Sequence, residues 1–205
     1  MAIRQSSTSD YHPAVQNMFL PVYSALAKQI FEKTGLTEGH CLDIGDDGGH
    51  LGLLLARTTA MHVTLYSQNG KVMQSISKRA EEWALNGRVS TLYGDACLLP
   101  FKNEWVDLCV SRNALWFWKD TAKAIKEICR VLKYDGYAFI GPLTSTPAKH
   151  AGIPWKLPDE PRSHDQKNLH CINIDHLTQA LRQLNLRRHE MIDGQQGMWL
   201  ILKKG

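Results

Sequence analysis

Residues 41–50 read CLDIGDDGGH, and they decide the fold class. His40 to Ile44 is a short apolar run that ends in glycines. A helical pattern follows at once from His50 to about Thr58, with Leu51, Leu54 and Leu55 at helical spacing. The stretch therefore predicts strand, tight loop, helix. Glycines placed directly between strand and helix let a ligand approach the backbone and reach the helix N-terminus, so Gly45-Asp46-Asp47-Gly48-Gly49 is the sharpest candidate binding loop.

The same alternation runs outward in both directions. Upstream, Phe19, Val22, Tyr23, Leu26, Ile30 and Phe31 fall near helical spacing over residues 17–34, with Gly35 as the stop. Downstream, strands are expected at His62–Ser67, Val89–Tyr93, Val106–Ser111 and Tyr137–Gly141, with helices at Lys71–Leu85 and Thr121–Leu132 between them. Strands alternating with helices predict a parallel sheet covered on both faces. Five of the eight prolines lie between Pro142 and Pro161, which predicts a surface loop or lid over 142–172. Asn173 is expected to cap a helix running to about Leu184. Arg187–Met191 and Met198–Lys203 then read as two strands joined by the turn Asp193-Gly194-Gln195-Gln196-Gly197.

Bulk composition narrows the class. At 205 residues the chain suits one domain, 1–205, burying about 70% of its unfolded surface without staples, with residues 1–36 as an N-terminal helical segment. No apolar run approaches the roughly 18 residues that span a bilayer, and the N-terminus lacks a secretory signal, so a cytoplasmic protein without membrane partners is expected. Five cysteines without C-x-x-C spacing argue against a disulfide framework or zinc site. The net charge of +4 is dispersed, and no nucleic-acid signature stands out.

The run LDIGDDGGHLGLLLA resembles motif I of class I S-adenosylmethionine (SAM) methyltransferases, and YGDACLLPFKNEWVDLCVSRNALWFWKDTAKAIKEICRVLKYDGYAFIG resembles their later motifs. The similarity covers roughly residues 17–142 and is strongest to the small-molecule branch that includes ubiquinone and menaquinone C-methyltransferase-like proteins. It implies a three-layer α/β sandwich, Rossmann-like, with a mostly parallel seven-stranded sheet in the order 3-2-1-4-5-7-6. It also implies SAM as cofactor and a small-molecule acceptor. Carried over by position, Asp43, Gly45 and the loop residues Asp46, Asp47 and Gly49 lie along the methionine portion of the cofactor. Ser67 and Gln68 stand at the ribose, Asp95 and the Ala96 amide at the adenine, and Ser111, Arg112 and Asn113 after the fourth strand. On the acceptor side the candidates are Tyr11, Trp116, Trp118 and His170. Core packing is the stronger reading for the tryptophans.

Two departures from the family pattern stand out. Asp47 occupies the middle glycine of G-x-G-x-G, and Ser67 replaces the acid that grips the ribose hydroxyls. A carboxylate about 4 Å from the methionine carboxylate costs about 4 kcal/mol at an effective dielectric near 20. Losing a charged ribose hydrogen bond removes roughly 1.5 to 3 kcal/mol more. Three functions therefore compete: a methyltransferase, a binding or regulatory module that kept the fold and lost SAM, and an enzyme using decarboxylated SAM, whose Asp-Gly-Gly the loop resembles. Asp46 and Asp47 also fit a solvated turn that caps the next helix. Together with His50 they make a poor metal site, because three ligands on one tight loop rarely converge, and no metal is expected. No acid-base pair is evident, so no catalytic residue is assigned.

Overall fold

The computed structural model describes residues 13–45, 48–115, 118–143, 174–183, 189–194 and 197–205. Helix α1 (Pro13–Thr34) leads into strand β1 (His40–Ile44), followed by α2 (His50–Thr58), β2 (His62–Ser67), α3 (Gly70–Glu82) and β3 (Val89–Tyr93). The chain continues through β4 (Val106–Arg112), α4 (Thr121–Val131), β5 (Leu132–Leu143), α5 (Ile174–Gln183), β6 (His189–Gly194) and β7 (Gly197–Lys203). The seven strands form one sheet in the order β3-β2-β1-β4-β5-β7-β6, parallel except for β7 against both of its neighbours. The expected α/β architecture and strand order are both present.

Side-chain alternation along the strands builds two cores. Cys41, Leu108, Val110, Phe139, Trp199 and Ile201 face α1, α2 and α3, where Ile30, Leu51 and Ile76 pack. The next residues along, among them Leu42, Cys109, Ala138, Ile140, Leu200 and Leu202, face α4 and α5, where Ile125, Ile128, Leu177 and Leu181 pack. A period of two along a strand is what sends successive side chains to opposite faces. Four of the five cysteines lie among the described residues and all four are free thiols; Cys41, Cys97 and Cys109 are buried. Burial pushes the Cys41 and Cys109 thiols well up, and the nearby Asp43 charge adds to the effect, which makes both poor nucleophiles.

The element boundaries move where backbone geometry overrides periodicity. Helix α1 begins at Pro13, earlier than the periodic pattern; a proline at the first helical position loses no helical hydrogen bond. Helix α3 stops at Glu82 rather than Leu85, because Ala84 turns left-handed at φ 55° and the Leu85 N–H closes on the Ala80 carbonyl at 2.8 Å. Strand β5 is longer than the expected Tyr137–Gly141 at both ends. Val106 pairs with Leu132 but Leu108 with Tyr137, so the extra residues form a bulge around Asp135, at φ 61°, and Gly136. At the carboxyl end, Asp193 and Gly194 belong to β6 and Gly197 to β7, leaving Gln195-Gln196 as the link. The Asn173 cap and most of the proline-rich 142–172 stretch lie outside the described residues. Among the described residues no helix is long and apolar enough to cross a membrane.

Candidate functional site

Parallel strands β1, β2, β3 and β4 point their carboxyl ends the same way, and a ligand of an open α/β sheet binds along that rim. The ladder reaches into the loops and fixes where each begins. The Gly45 N–H donates to the Tyr66 carbonyl at 3.0 Å, the Gly94 N–H to the Ser67 carbonyl at 3.0 Å, and the Asn113 N–H to the Gly141 carbonyl at 2.9 Å. Ser111, fully buried, donates its hydroxyl to the Ile44 carbonyl at 2.8 Å and so ties β4 to β1 beneath the rim.

The glycine loop is shaped by close approach. A Cβ on Gly45 would stand 2.9 Å from Ala114 Cβ and 3.3 Å from the Arg112 carbonyl oxygen, so the loops after β1 and β4 meet across it. Gly48 and Gly49 both take positive φ, 83° and 64°, and a Cβ on Gly49 would lie 2.3 Å from Leu65 Cδ2. Only glycine meets both demands. Gly49 caps α2 without a side-chain bond; Asp43 does that work from β1, its buried Oδ2 accepting the Gly52 N–H at 2.8 Å. A carboxylate there satisfies an orphan helix donor and suits the positive end of the helix dipole.

At the ends of β2 and β3 the substituted residues have new partners. Ser67 is buried, and its Oγ accepts the Asn69 N–H at 2.8 Å. The Asn69 side chain in turn accepts from the Lys71 and Val72 N–H groups at 3.1 and 3.4 Å, capping α3. The Cys97 N–H, 2.9 Å from Asp95 Oδ1, is the main cause holding the Asp95 carboxyl below its usual range. A Gln68 side-chain hydrogen bond and Lys119, 3.9 Å away, add to this against a smaller effect of burial. Tyr66 donates to the Asp95 and Leu98 carbonyls at 3.3 and 3.2 Å and holds that segment from below. Ala96 is buried in the core.

Between the glycine loop and α1 the structure assembles a cluster that residue spacing did not announce. Arg112 NH1 donates to the Tyr23 hydroxyl at 2.9 Å, and its guanidinium lies 4.7 Å from the Tyr23 ring centre. Tyr23 stacks at a tilt on His50, 5.2 Å between ring centres. Arg79 NH1, from α3, reaches the Gly48 carbonyl at 3.0 Å and His50 Nδ1 at 3.3 Å. The readable signal was a cation inside the apolar stripe Val72, Ile76, Arg79, Ala80, Trp83 of an amphipathic helix.

The predicted residues thus fall into two groups. Gly45, Asp95, Arg112 and Asn113 are half-buried at the rim, while Asp43, Gly49, Ser67 and Ser111 are buried and support it. Trp118, 6% exposed, belongs to the core beside Leu115. Asp46, Asp47, Tyr11, Trp116 and His170 lie outside the described residues. Among the described residues no group of His, Cys, Asp and Glu is arranged to hold a metal. For an adenosyl cofactor the arrangement fits: small residues bring the loops together, the left-handed Gly48 and Gly49 lead directly into the α2 N-terminus, and an ionised acceptor stands at Asp95.

Comparison with known proteins agrees. The family described as "Methyltransferase domain" matches residues 42–140. Over 107 residues the chain is 36% identical to 2-methyl-6-phytyl-1,4-hydroquinone methyltransferase 2, chloroplastic, of Oryza sativa subsp. japonica, covering 51% of this chain and 30% of that protein. The match spans about a third of the length of the curated relatives. Among solved structures, a Methanococcus maripaludis protein classed by inference as an S-adenosyl-L-methionine-dependent methyltransferase superposes with a TM-score of 0.73 at 26% identity, over 99% of this chain and 97% of that one. Phosphoethanolamine N-methyltransferase 2 of Haemonchus contortus, in complex with S-adenosyl-L-methionine, shares the fold with a TM-score of 0.63 at 20% identity, over 82% of this chain and 38% of that one. Strand order, the glycine loop between β1 and α2, and these matches together give the chain the fold of the SAM-dependent methyltransferases, with residues 42–140 similar to their methyltransferase domain.

Proposed function

We propose that the protein transfers a methyl group from SAM to a small-molecule acceptor. The observation that carries this reading is the rim at the carboxyl ends of β1 to β4, where Gly45 brings the loops after β1 and β4 together, Gly48 and Gly49 turn left-handed into α2, and the ionised Asp95 stands after β3. In this reading the glycine loop and Arg112 take the methionine end of the cofactor, and Asp95 with the Ala96 amide takes the adenine. Ser67 is already committed to Asn69, so Gln68, bonded to Asp95, stands in for the missing acid at the ribose.

When bound, SAM supplies an electrophilic methyl group on a sulfonium centre. The protein's share is orientation and exclusion of water, which together provide most of the acceleration in a reaction whose nucleophile is already competent. No base is assigned. Tyr11, Trp116 and His170 form the acceptor side of the proposal, and Trp118 packs in the core instead. The names of the plant relatives make aromatic hydroquinones the first acceptor class to test, and the cytoplasm is the compartment that goes with the sequence reading.

Calorimetric titration tests the reading directly. Folded protein titrated with SAM, and separately with its demethylated product S-adenosylhomocysteine, is expected to give saturable one-site binding. Incubation with a hydroquinone panel is expected to yield a product heavier by one CH2. A flat titration at millimolar ligand would leave the fold without the activity.

A further inference from the structure

Beyond that reading and independent of it, we infer that the outer edge of β3 is the interface of a two-fold dimer, in which β3 of a second copy of this chain pairs antiparallel with it about Thr91. Strand β3 ends the sheet, with β2 on one side and, among the described residues, no strand on the other. An open edge is a template for a further strand, and proteins block it with charges, proline or a bulge. The opposite edge, β6, carries His189, Glu190 and Asp193. Strand β3 reads Val-Ser-Thr-Leu-Tyr, without a charge, and keeps register with β2 along its whole length. Leu92, Tyr93 and Leu98, at the end of the strand and just beyond it, are 39, 66 and 72% exposed.

The backbone of this edge complements itself. The Val63 N–H donates to the Arg88 carbonyl at 2.7 Å and the Gly94 N–H to the Ser67 carbonyl at 3.0 Å, so the even-numbered residues along β3 bond inward to β2. Successive residues alternate in ladder direction, which turns Val89, Thr91 and Tyr93 outward. The Val89 N–H already donates to the Leu85 carbonyl at 2.9 Å. The outward donors are therefore the Thr91 and Tyr93 N–H groups. A two-fold axis at Thr91 satisfies both: each Thr91 N–H meets the Thr91 carbonyl of the other copy, and each Tyr93 N–H meets its Val89 carbonyl.

Side chains fit the same axis. Thr91 stands opposite Thr91 and Val89 opposite Tyr93, pairings that favour strand association. On the other face Ser90 stands opposite Leu92. Leu92 shares the side of its ladder partner Tyr66, whose hydroxyl reaches the Leu98 carbonyl at 3.2 Å, so the same contact covers Leu92 and the Leu98 segment. Helix α3 lies along the edge, with Ser77 meeting Thr91 at 3.2 Å, and runs from exposed Lys71 and Lys78 to exposed Glu81 and Glu82. Antiparallel pairing sets the basic half of one α3 toward the acidic half of the other, whereas parallel pairing would oppose like charges. Backbone and charge thus both name a second copy as the occupant.

Analytical ultracentrifugation of the full chain from about 1 to about 100 µM tests this. Wild-type protein is expected to sediment increasingly as a dimer, and a monomer throughout the range overturns the inference, whatever other partner the edge takes. Ser90→Lys with Leu92→Lys sets lysine against lysine at exposed positions and should weaken the dimer at least about tenfold. Ser90→Glu with Leu92→Lys sets glutamate against lysine and should stay within about threefold of wild type. Equal effects of the two pairs, including no effect of either, refute the assignment.

Crosslinking reads the register without breaking the assembly. At the axis the two Thr91 Cα atoms stand about 5.5 Å apart, within disulfide reach, whereas the two Tyr93 Cα atoms stand about 13 Å apart along the paired strands. Under mild oxidation Thr91→Cys should therefore give a covalent dimer that wild type and Tyr93→Cys do not. Any other pattern overturns the inference, and this arm decides it even where a lysine variant fails to fold.

Discussion

Gly52, in the first turn of α2, sets two effects of opposite sign against each other. Glycine to alanine in a helix gains up to about 1 kcal/mol from backbone entropy and propensity. Here the new Cβ would lie 2.7 Å from Asp43 Oδ2 and 3.1 Å from Val63 Cγ1. The carboxylate cannot swing aside without giving up its 2.8 Å bond from the Gly52 N–H. Overpacking of this kind costs typically 1–3 kcal/mol, so Gly52→Ala is expected to destabilise by about 1–2 kcal/mol net. Urea unfolding measures this, and a stabilised variant would show that Asp43 is not held where the cap requires it. The aspartate itself was legible as a feature of the motif, but its service to α2 was not. The partner lies nine residues on, and the strand and helix must pack before the two meet.

At the scale of elements, α4 and the segment between β3 and β4 are stapled by one carboxylate. Glu127 Oε1 accepts from Arg130 Nε at 2.7 Å, while Oε2 accepts from Arg130 NH2 at 2.8 Å and the Leu99 N–H at 2.9 Å. Arg130 adds bonds to the Leu99 and Phe101 carbonyls, at 2.9 and 2.8 Å. The Arg130 hydrogen bond, helped by the Leu99 N–H against a smaller effect of burial, holds the Glu127 carboxyl below the ordinary glutamate range. A carboxyl with a lowered folded pKa stabilises fully above its unfolded value, and that contribution fades as pH falls through the folded value. Glu127→Gln should therefore cost about 1.5 to 3 kcal/mol near neutrality. Its deficit relative to wild type should shrink on acidification below the ordinary glutamate range, as followed by thermal unfolding at several pH values. Helix α4 itself was readable, because Ala124, Ile125, Ile128 and Val131 keep helical spacing and are buried. The staple was not, since Glu127 and Arg130 read simply as a solvated i, i+3 pair until the distant loop arrives.

For the whole molecule, the sheet order gives β7 a different weight from β6. Strand β7 lies between β5 and β6, pairing antiparallel with both. Its residues Trp199, Leu200, Ile201 and Leu202 are all buried, alternately in the two cores. Four such side chains contribute on the order of 6–12 kcal/mol of burial, comparable to the total stability of a domain this size. A chain ending after Gln196 is expected to lose its cooperative thermal transition. A sharp transition in that truncated chain would show that β5 and β6 can close the sheet without β7.

What the sequence determined by itself was the local repertoire. Periods of two and near 3.6, glycine punctuation and the loop at residues 45–49 specify strands, helices and a ligand-facing turn, because backbone sterics act over a few residues whatever surrounds them. Strand order was legible only through the motif resemblance. Tertiary structure alone decided which polar groups serve the rim and which support it. Arg79 stands 31 residues from Gly48, and Ser111 is 67 from Ile44. Their hydrogen bonds exist because parallel strands align their carboxyl ends and the helices fold back across them, a condition of packing that no local window contains.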